Sequence, residues 1–279
     1  MRFHKMHGLG NDFILINGFT EEVPCELSTL AKAICHRKTG IGADGLIVLS
    51  PSDTSAFKFT IYNDDGSQAE MCGNGMRCAA VLAYKEKIVT EKAFDVETLA
   101  GIIRPEVINT EKGIVRVNMG TPILAAGKIP TLFNSDTVIN TPLYAGGDTF
   151  FVTCVSMGNP HCVIFVDNVA EHPIEKTGPQ IETHPLFPNK TNVEFVQVLS
   201  REKIRMRVWE RGCGITLACG TGAAAAAAAS YLNGHTGRKV EVELTLGSLL
   251  LDWHEEDGHM LMKGPATKVF SGEYKFYNT

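Results

Sequence analysis

The sequence predicts an α+β fold. It should hold two structurally repeated domains, each a strongly curved, mostly antiparallel sheet wrapped around a central helix, with the candidate active site in the cleft between them. Three observations lead there. A Cys-Gly-x-Gly turn occurs twice, Cys72-Gly73-Asn74-Gly75 and Cys219-Gly220-Thr221-Gly222, 147 positions apart and each before an apolar run. Five sets of landmarks recur in the same order at offsets of 148, 148, 147, 146 and 144. Strand-like alternation dominates both halves, with one principal helix in each.

The landmarks are short but ordered. Gly10-Asn11 precedes Phe13-Ile14-Leu15-Ile16, as Gly158-Asn159 precedes Cys162-Val163-Ile164-Phe165. Asp44 matches Asn192, each ahead of an apolar strand. Cys72 and Tyr84 match Cys219 and Tyr231, Val96-Glu97 with Gly101 matches Val242-Glu243 with Gly247, and Gly120 matches Gly264. Unrelated short matches would not keep one drifting offset. The intervening side chains differ, so the repeat is one of architecture.

In the first half, strands are expected over Arg2–Met6, Asp12–Asn17, Gly45–Ser50, Phe57–Tyr62, Ala93–Thr98, Gly101–Ile108 and Ile114–Asn118, where β-branched or alternating residues are punctuated by Gly, Pro and Asn. In the second half they are expected over Thr149–Ser156, Cys162–Val166, Asn192–Leu199, Lys203–Trp209, Lys239–Thr245, Ser248–Trp253 and His259–Lys263. The helix from Ala223 to about Leu232 is almost pure alanine and should stop at Asn233-Gly234. With no polar face it should be buried all round. Shorter helices are expected over Ser28–His36 and Asn168–Thr177. The domains are expected at 1–118 plus 265–279, and at 119–264, the tail returning to complete the first sheet.

A net charge of −5 gives no reason to expect nucleic acid or an anionic membrane as partner. No apolar run approaches the roughly 20 residues that span a bilayer. The start, Met1-Arg2-Phe3-His4-Lys5, lacks a signal-peptide core, so the expected place is the cytoplasm. The eight cysteines include no Cys-x-x-Cys, which argues against thioredoxin chemistry and zinc knuckles. Cys25, Cys35, Cys78, Cys154, Cys162 and Cys213 are expected to be buried small hydrophobes.

Cys72 and Cys219 differ from these because of where they sit. A thiol at a helix N-terminus feels the positive dipole end and free N–H groups, so it ionises more readily. Two opposed helix N-termini would hold an anion, and a carboxylate fits. A thiolate on one face of the carbon bearing it could then remove the α-proton, and a thiol on the other face could return one. That is general acid–base catalysis with inversion. A lone Cys-Gly is better read as a buried residue beside a turn, but the matched pair reverses that preference. Asn11, Asn63, Asn159 and Asn192 stand at turns or strand ends, where each would serve equally as a turn former. Arg211, with its planar fork, is the best candidate to hold a second carboxylate. No P-loop is present, and Gly8-Leu9-Gly10 is a weak dinucleotide signal in all-β surroundings.

At these residues the chain resembles the diaminopimelate epimerase family. The resemblance is carried by His7-Gly8-Leu9-Gly10-Asn11-Asp12-Phe13, Gly40-Ile41-Gly42-Ala43-Asp44-Gly45, and the segment from Tyr62 through Glu70-Met71-Cys72-Gly73-Asn74-Gly75 to Cys78. In the second half it is carried by Met157-Gly158-Asn159-Pro160-His161-Cys162, Phe187 to Phe195, Glu210-Arg211-Gly212, Ala218-Cys219-Gly220-Thr221-Gly222 and Gly264-Pro265-Ala266. It covers essentially the whole chain.

The resemblance implies interconversion of LL-2,6-diaminopimelate and meso-2,6-diaminopimelate, in lysine and peptidoglycan precursor synthesis, with no pyridoxal phosphate, metal or other cofactor. It implies Cys72 and Cys219 as the acid/base pair, with His161 and Glu210 tuning the thiols. It implies substrate contacts from Asn11, Asn63, Gly73, Asn74, Asn159, Asn192, Glu210, Arg211, Gly220 and Thr221, and a homodimer. Asp44 stands where some members carry a substrate-contacting Gln, so that contact is not carried over. Cys213, Ile215 and Lys263 also depart from the usual residues. The nearest rival is a racemase of the same fold for another amino acid, such as histidine or proline. Asn63, Asn192 and Arg211 favour a substrate with a second amino-acid head group. A thiol redox or metal-binding protein is the rival from another class.

Overall fold

Apolar residues at alternate or successive positions, separated by glycine turns, produce strands throughout the chain. The computed structural model describes residues 1–276. The first part of the chain runs β1 (Arg2–Gly8), β2 (Asn11–Asn17), α1 (Leu27–Cys35), β3 (Gly45–Ser50), β4 (Phe57–Asn63), β5 (Gln68–Ala69), α2 (Gly73–Lys85), β6 (Val96–Thr98), β7 (Gly101–Ile103), β8 (Glu106–Asn109) and β9 (Ile114–Asn118). It continues with β10 (Thr141–Ala145), β11 (Asp148–Ser156), β12 (Pro160–Phe165), α3 (Ile174–Glu182), β13 (Asn192–Ser200), β14 (Lys203–Glu210), β15 (Gly214–Thr216), α4 (Gly220–Leu232), β16 (Lys239–Leu244), β17 (Gly247–Trp253), β18 (Met260–Pro265) and β19 (Thr267–Glu273). The chain divides into two compact units, Met1–Asn118 with Lys263–Thr279, and Met119–Met262.

The strands of the first unit lie in the order β19-β1-β2-β3-β4-β6-β7, with β5 on β4. Those of the second run β10-β11-β12-β13-β14-β16-β17-β18, with β15 on β14. Strand directions repeat as well. β2 and β3 are parallel, as are β12 and β13. β4 and β6 are parallel, as are β14 and β16. The intervening pairs β1·β2, β3·β4 and β6·β7 are antiparallel, and so are β11·β12, β13·β14 and β16·β17. The drifting offset in the sequence is therefore the trace of one topology used twice.

One helix fills each sheet. α2 touches β1 to β4, β8 and β9, while α4 touches β11 to β14, β16 and β17. α4 is buried from Gly222 to Ser230 on every face. Its seven consecutive alanines make it thin, so strands can approach its backbone from all sides. Asn233 caps it, donating from Nδ2 to the Ala229 carbonyl at 2.8 Å. α2 carries a fully buried Arg77, whose Nε donates to the Pro265 carbonyl at 3.0 Å. That bond ties the returning tail to the first unit, where β19 pairs with β1 from Arg2↔Glu273 to His7↔Thr267.

Several expectations are corrected. The expected strand Gly101–Ile108 is two strands, because Arg104-Pro105 interrupts the ladder and proline cannot donate to it. The strand expected from Ala93 shortens to Val96–Thr98. The helix expected over Asn168–Thr177 lies instead at Ile174–Glu182, after Pro173 at its N-cap. β10 was not expected, since Pro142 disguises it, and as an edge strand it tolerates that residue. Cys213 is exposed and Cys25 half-buried, whereas Cys35, Cys78, Cys154 and Cys162 are buried. Among the described residues no helix is long and apolar enough to cross a membrane.

The buried thiols make the fold sensitive to alkali. Burial pushes the Cys35 and Cys78 thiols from an ordinary 9.0 up to about 12. Below pH 9 both folded and unfolded chains keep these groups neutral, and their contribution is fully present. Above it the unfolded chain ionises first, so stability falls by about 1.4 kcal/mol per pH unit for each thiol. Urea unfolding should show about 3 kcal/mol less stability at pH 10 than at pH 8 from these two groups. A flat profile over that range would contradict their burial as neutral thiols.

Candidate active site

Each Cys-Gly-x-Gly turn starts its helix in the same way. Cys72 is the N-cap of α2, with extended backbone (φ −142, ψ 119), and its Sγ accepts the Gly75 N–H at 3.5 Å. Cys219 is the N-cap of α4 (φ −121, ψ 111), and its Sγ accepts the Gly222 N–H at 3.3 Å. A sulfur here does what a Ser or Asp oxygen does at an ordinary N-cap: it meets an N–H that the first helical turn leaves without a partner. The N–H and the dipole both favour the thiolate.

In the first unit Cys72 is half-buried, and its Sγ lies 3.8 Å from Asn11 Oδ1. Asn74 Nδ2 donates to the same oxygen at 3.1 Å. Asn11 is oriented from behind, donating from Nδ2 to Asp44 Oδ2 at 2.8 Å. That carboxylate oxygen also accepts the Asp12 N–H at 3.1 Å, and its other oxygen takes Arg37 Nη2 at 2.6 Å. Asp12 is itself paired to Lys5 at 2.6 Å and to Arg37 at 2.9 Å. These partners hold the Asp12 carboxyl below the usual range despite its burial. Asp44, left without a role by the sequence, therefore sets the Asn11 amide so that its oxygen faces the thiol. Asn63 ends β4, and its Nδ2 donates to Ser67 Oγ at 2.9 Å across the turn to β5.

In the second unit Cys219 is buried, and its Sγ lies 3.5 Å from Thr221 Oγ1. Burial pushes this thiol well up, and the carboxylates of Glu210 and Glu194 push in the same direction. Thr221 and the Gly222 N–H oppose them. Glu210 ends β14, at the place that Asn63 holds in β4. Burial raises its carboxyl, while hydrogen bonds from Thr216 and the Cys219 thiol draw it back. His161 is fully buried on β12, with Nδ1 2.7 Å from Glu194 Oε1 and Nε2 3.0 Å from Asn159 Oδ1.

Asn192 is buried and uses both ends of its amide. Nδ2 donates to the Pro160 carbonyl at 2.9 Å, and Oδ1 accepts the Arg211 N–H at 3.0 Å. It thus pins the Glu210-Arg211 turn to β12. The Arg211 side chain is exposed, and its Nη1 donates to the Asn189 carbonyl at 3.2 Å.

The structure thus gathers Asn11, Cys72 and Asn74, with Gly73 in the helix turn, in the first unit. In the second it gathers Cys219, Thr221 and Glu210, with Gly220 in the turn, and links His161 to Asn159. Sequence reasoning missed Glu194 as a member of the second group. One signal was available: a carboxylate inside the apolar run Val193-Glu194-Phe195-Val196 needs a buried partner. Among the described residues no group of three or more His, Cys, Asp or Glu side chains could hold a metal ion.

The sequence profile of diaminopimelate epimerase matches residues 3–125 and 153–269. Diaminopimelate epimerase of Moorella thermoacetica is 52% identical over 276 residues, covering 98% of this chain and 99% of its own length. That of Carboxydothermus hydrogenoformans is 53% identical over 276 residues, with 98% and 99% covered. Among solved structures, a phenazine biosynthesis protein of the PhzF family from Bacillus anthracis superposes with a TM-score of 0.71 at 13% identity, covering 99% of each chain, a likeness of fold alone. With the profile matched across both units and relatives near half identity along almost the whole length, the chain belongs to the diaminopimelate epimerase family.

Proposed function

We propose that this chain interconverts LL-2,6-diaminopimelate and meso-2,6-diaminopimelate by proton transfer at one α-carbon, with Cys72 and Cys219 as the two carriers. The observation that carries the reading is the matched capping geometry. Two repeats of one topology each present a cysteine Sγ at the N-terminus of their central helix, receiving the N–H three residues on. Membership of the family supports the substrate.

In this reading the reacting carboxylate is held by backbone N–H groups of the turns at Gly73-Asn74 and Gly220-Thr221. Those donors would also stabilise the charge that develops as the α-proton leaves. Asn159 completes the hold, while the Asn11 amide oxygen, turned to the thiol side by Asp44, suits the α-ammonium group. Asn63, Asn192 and Arg211 answer to the distal head group, which keeps a substrate with one head group from filling the site. The chemistry requires the two thiols to meet opposite faces of one carbon.

In the free protein the Cys219 thiol is held neutral, because burial and two nearby carboxylates disfavour its thiolate. The substrate brings an α-ammonium, and an adjacent cation lowers a thiol's pKa. Glu210, whose carboxyl is raised by burial and which takes a hydrogen bond from the Cys219 thiol, is the acceptor placed to take the Cys219 proton. Cys219 then removes the α-proton and Cys72 returns one, the roles exchanging in the reverse direction. A homodimer in the cytoplasm and independence from pyridoxal phosphate belong to the same proposal.

The test is turnover of LL-diaminopimelate in heavy water with no added cofactor. The expected result is meso product carrying deuterium at the inverted α-carbon. Inversion with full retention of the original proton would contradict two exchangeable carriers.

Asp44→Ala gives a narrower check. Alanine removes both carboxylate oxygens, and with them the bonds that Asn11, the Asp12 N–H and Arg37 make to Asp44. Loss of the Asn11 bond should raise KM about tenfold, with kcat changed much less. An unchanged KM would mean that Asn11 does not hold substrate.

A further inference from the structure

We infer that Glu194 is a positioning residue that fixes the protons of His161 and, through them, which end of the Asn159 amide meets the substrate. The inference rests on the proposed role of Asn159 in substrate binding. It goes beyond that proposal by adding a residue and a direction to the contact.

β12 and β13 are parallel, with His161 opposite Asn192, so Glu194 stands two residues further along on the same face as His161. Both Glu194 and His161 are fully buried. Glu194 Oε1 lies 2.7 Å from His161 Nδ1, while its Oε2 is buried without a hydrogen-bond partner. A carboxylate placed so, with one oxygen idle, is costly unless the bond it does make is needed. The other titratable groups that act on this corner are Glu210, Cys219 and Cys162.

With the Asn159 amide oxygen towards the ring, the two ring contacts fix where the protons lie. Nδ1 faces a carboxyl oxygen and Nε2 faces the Asn159 amide oxygen at 3.0 Å. A neutral imidazole has one donor and one acceptor, so it alone would set a lone pair against an oxygen lone pair. Two arrangements avoid that. In one, His161 is an imidazolium beside a carboxylate. In the other, Glu194 keeps the proton and donates it to Nδ1. In both, a proton lies between Nδ1 and Oε1, and Nε2 carries its own proton and donates to Asn159.

Asn159 Oδ1 is therefore turned inward and its NH2 is left for the ligand. That end suits a carboxylate and repels an ammonium group. Without Glu194, His161 is free to carry its proton on Nδ1. Nε2 then becomes an acceptor, the Asn159 amide turns to donate to it, and its oxygen faces the substrate carboxylate.

The test compares the full-length protein with Glu194→Leu by 15N NMR of histidine-labelled samples, His161 being assigned through its loss in His161→Gln. In the wild type the His161 Nε2 should be protonated, whether or not substrate is present. In Glu194→Leu, which can neither donate to Nδ1 nor accept from it, Nε2 should move to the unprotonated position, and KM for diaminopimelate should rise about tenfold or more with kcat changed less. Glu194→Asp, which keeps a carboxyl group, should recover the protonated Nε2. An unprotonated Nε2 in the wild type overturns the inference, even if Glu194→Leu does not fold. A protonated Nε2 and a wild-type KM in folded Glu194→Leu overturn it too. Because the ring spectrum needs no substrate, it stands apart from the assignment of the reaction. A correct ring pattern in a wild type that does not turn over diaminopimelate would sink the proposed function and its substrate arm, not the proton arrangement.

Discussion

Replacing either Cys72 or Cys219 by alanine abolishes epimerisation, with kcat falling by at least about 10³-fold while the chain stays folded. The fold should survive because the local loss is small. Each variant loses one N-cap contact, Gly75 N–H to Cys72 or Gly222 N–H to Cys219, which costs about 1 kcal/mol. The chemistry should not survive, because a single carrier can only return a proton to the face it took it from. One-sided exchange is the sharper signature. In heavy water each variant should still wash the α-proton out of one stereoisomer without inverting it, and the two variants should differ in which stereoisomer they exchange. Near-normal epimerisation by either variant would end the two-carrier reading. Exchange of the same stereoisomer by both would show that the thiols do not serve opposite faces.

Much of this was legible in the sequence because the repeat is written in residues with special backbone roles. Cys72-Gly73-x-Gly75 and Cys219-Gly220-x-Gly222 share small residues at a helix start that the cysteine caps, and around Gly222 the packing leaves no room for a larger one. Alternation located the long strands because one face of each is buried. Patterning failed where elements are too short to show a period, as for β5 and β15 with two and three residues, or where proline intervenes, as in β10 and before α3. Within the site, Cys72 and Cys219 were legible through their turns. The support behind them was not. Asp44 acts on Asn11 from 33 residues away in sequence, and Glu194 acts on His161 from the same separation. Parallel pairing of β2 with β3 and of β12 with β13 creates both adjacencies, and no local pattern reports which side chains then meet.

The two glycines that follow the cysteines by three residues should respond to the same substitution in opposite ways. A Cβ at Gly75 would come within 2.9 Å of Ile47 Cδ1, 3.4 Å of Phe59 Cζ and 3.6 Å of Cys72 Cβ. Only the first is close, and it is the terminal methyl of a side chain that can rotate away. Alanine also gains up to about 1 kcal/mol over glycine inside a helix, so Gly75→Ala should stay within about 1 kcal/mol of wild type. A Cβ at Gly222 would come within 2.7 Å of Glu194 Oε1 and 3.2 Å of both Cys219 Sγ and Cβ. Here neither neighbour can give easily. Glu194 is fully buried and bonded to His161, and Cys219 is fixed as the helix cap. Gly222→Ala should therefore lose about 2–3 kcal/mol in urea unfolding, in the range of core overpacking. It should also lose more than about tenfold in kcat/KM, since either atom that yields is tied to the proton-carrying side of the site. If Gly75→Ala proved the more damaging of the two, the asymmetry assigned to Glu194 would be wrong. In that case the first helix start, not the second, would be the one without room for a methyl group.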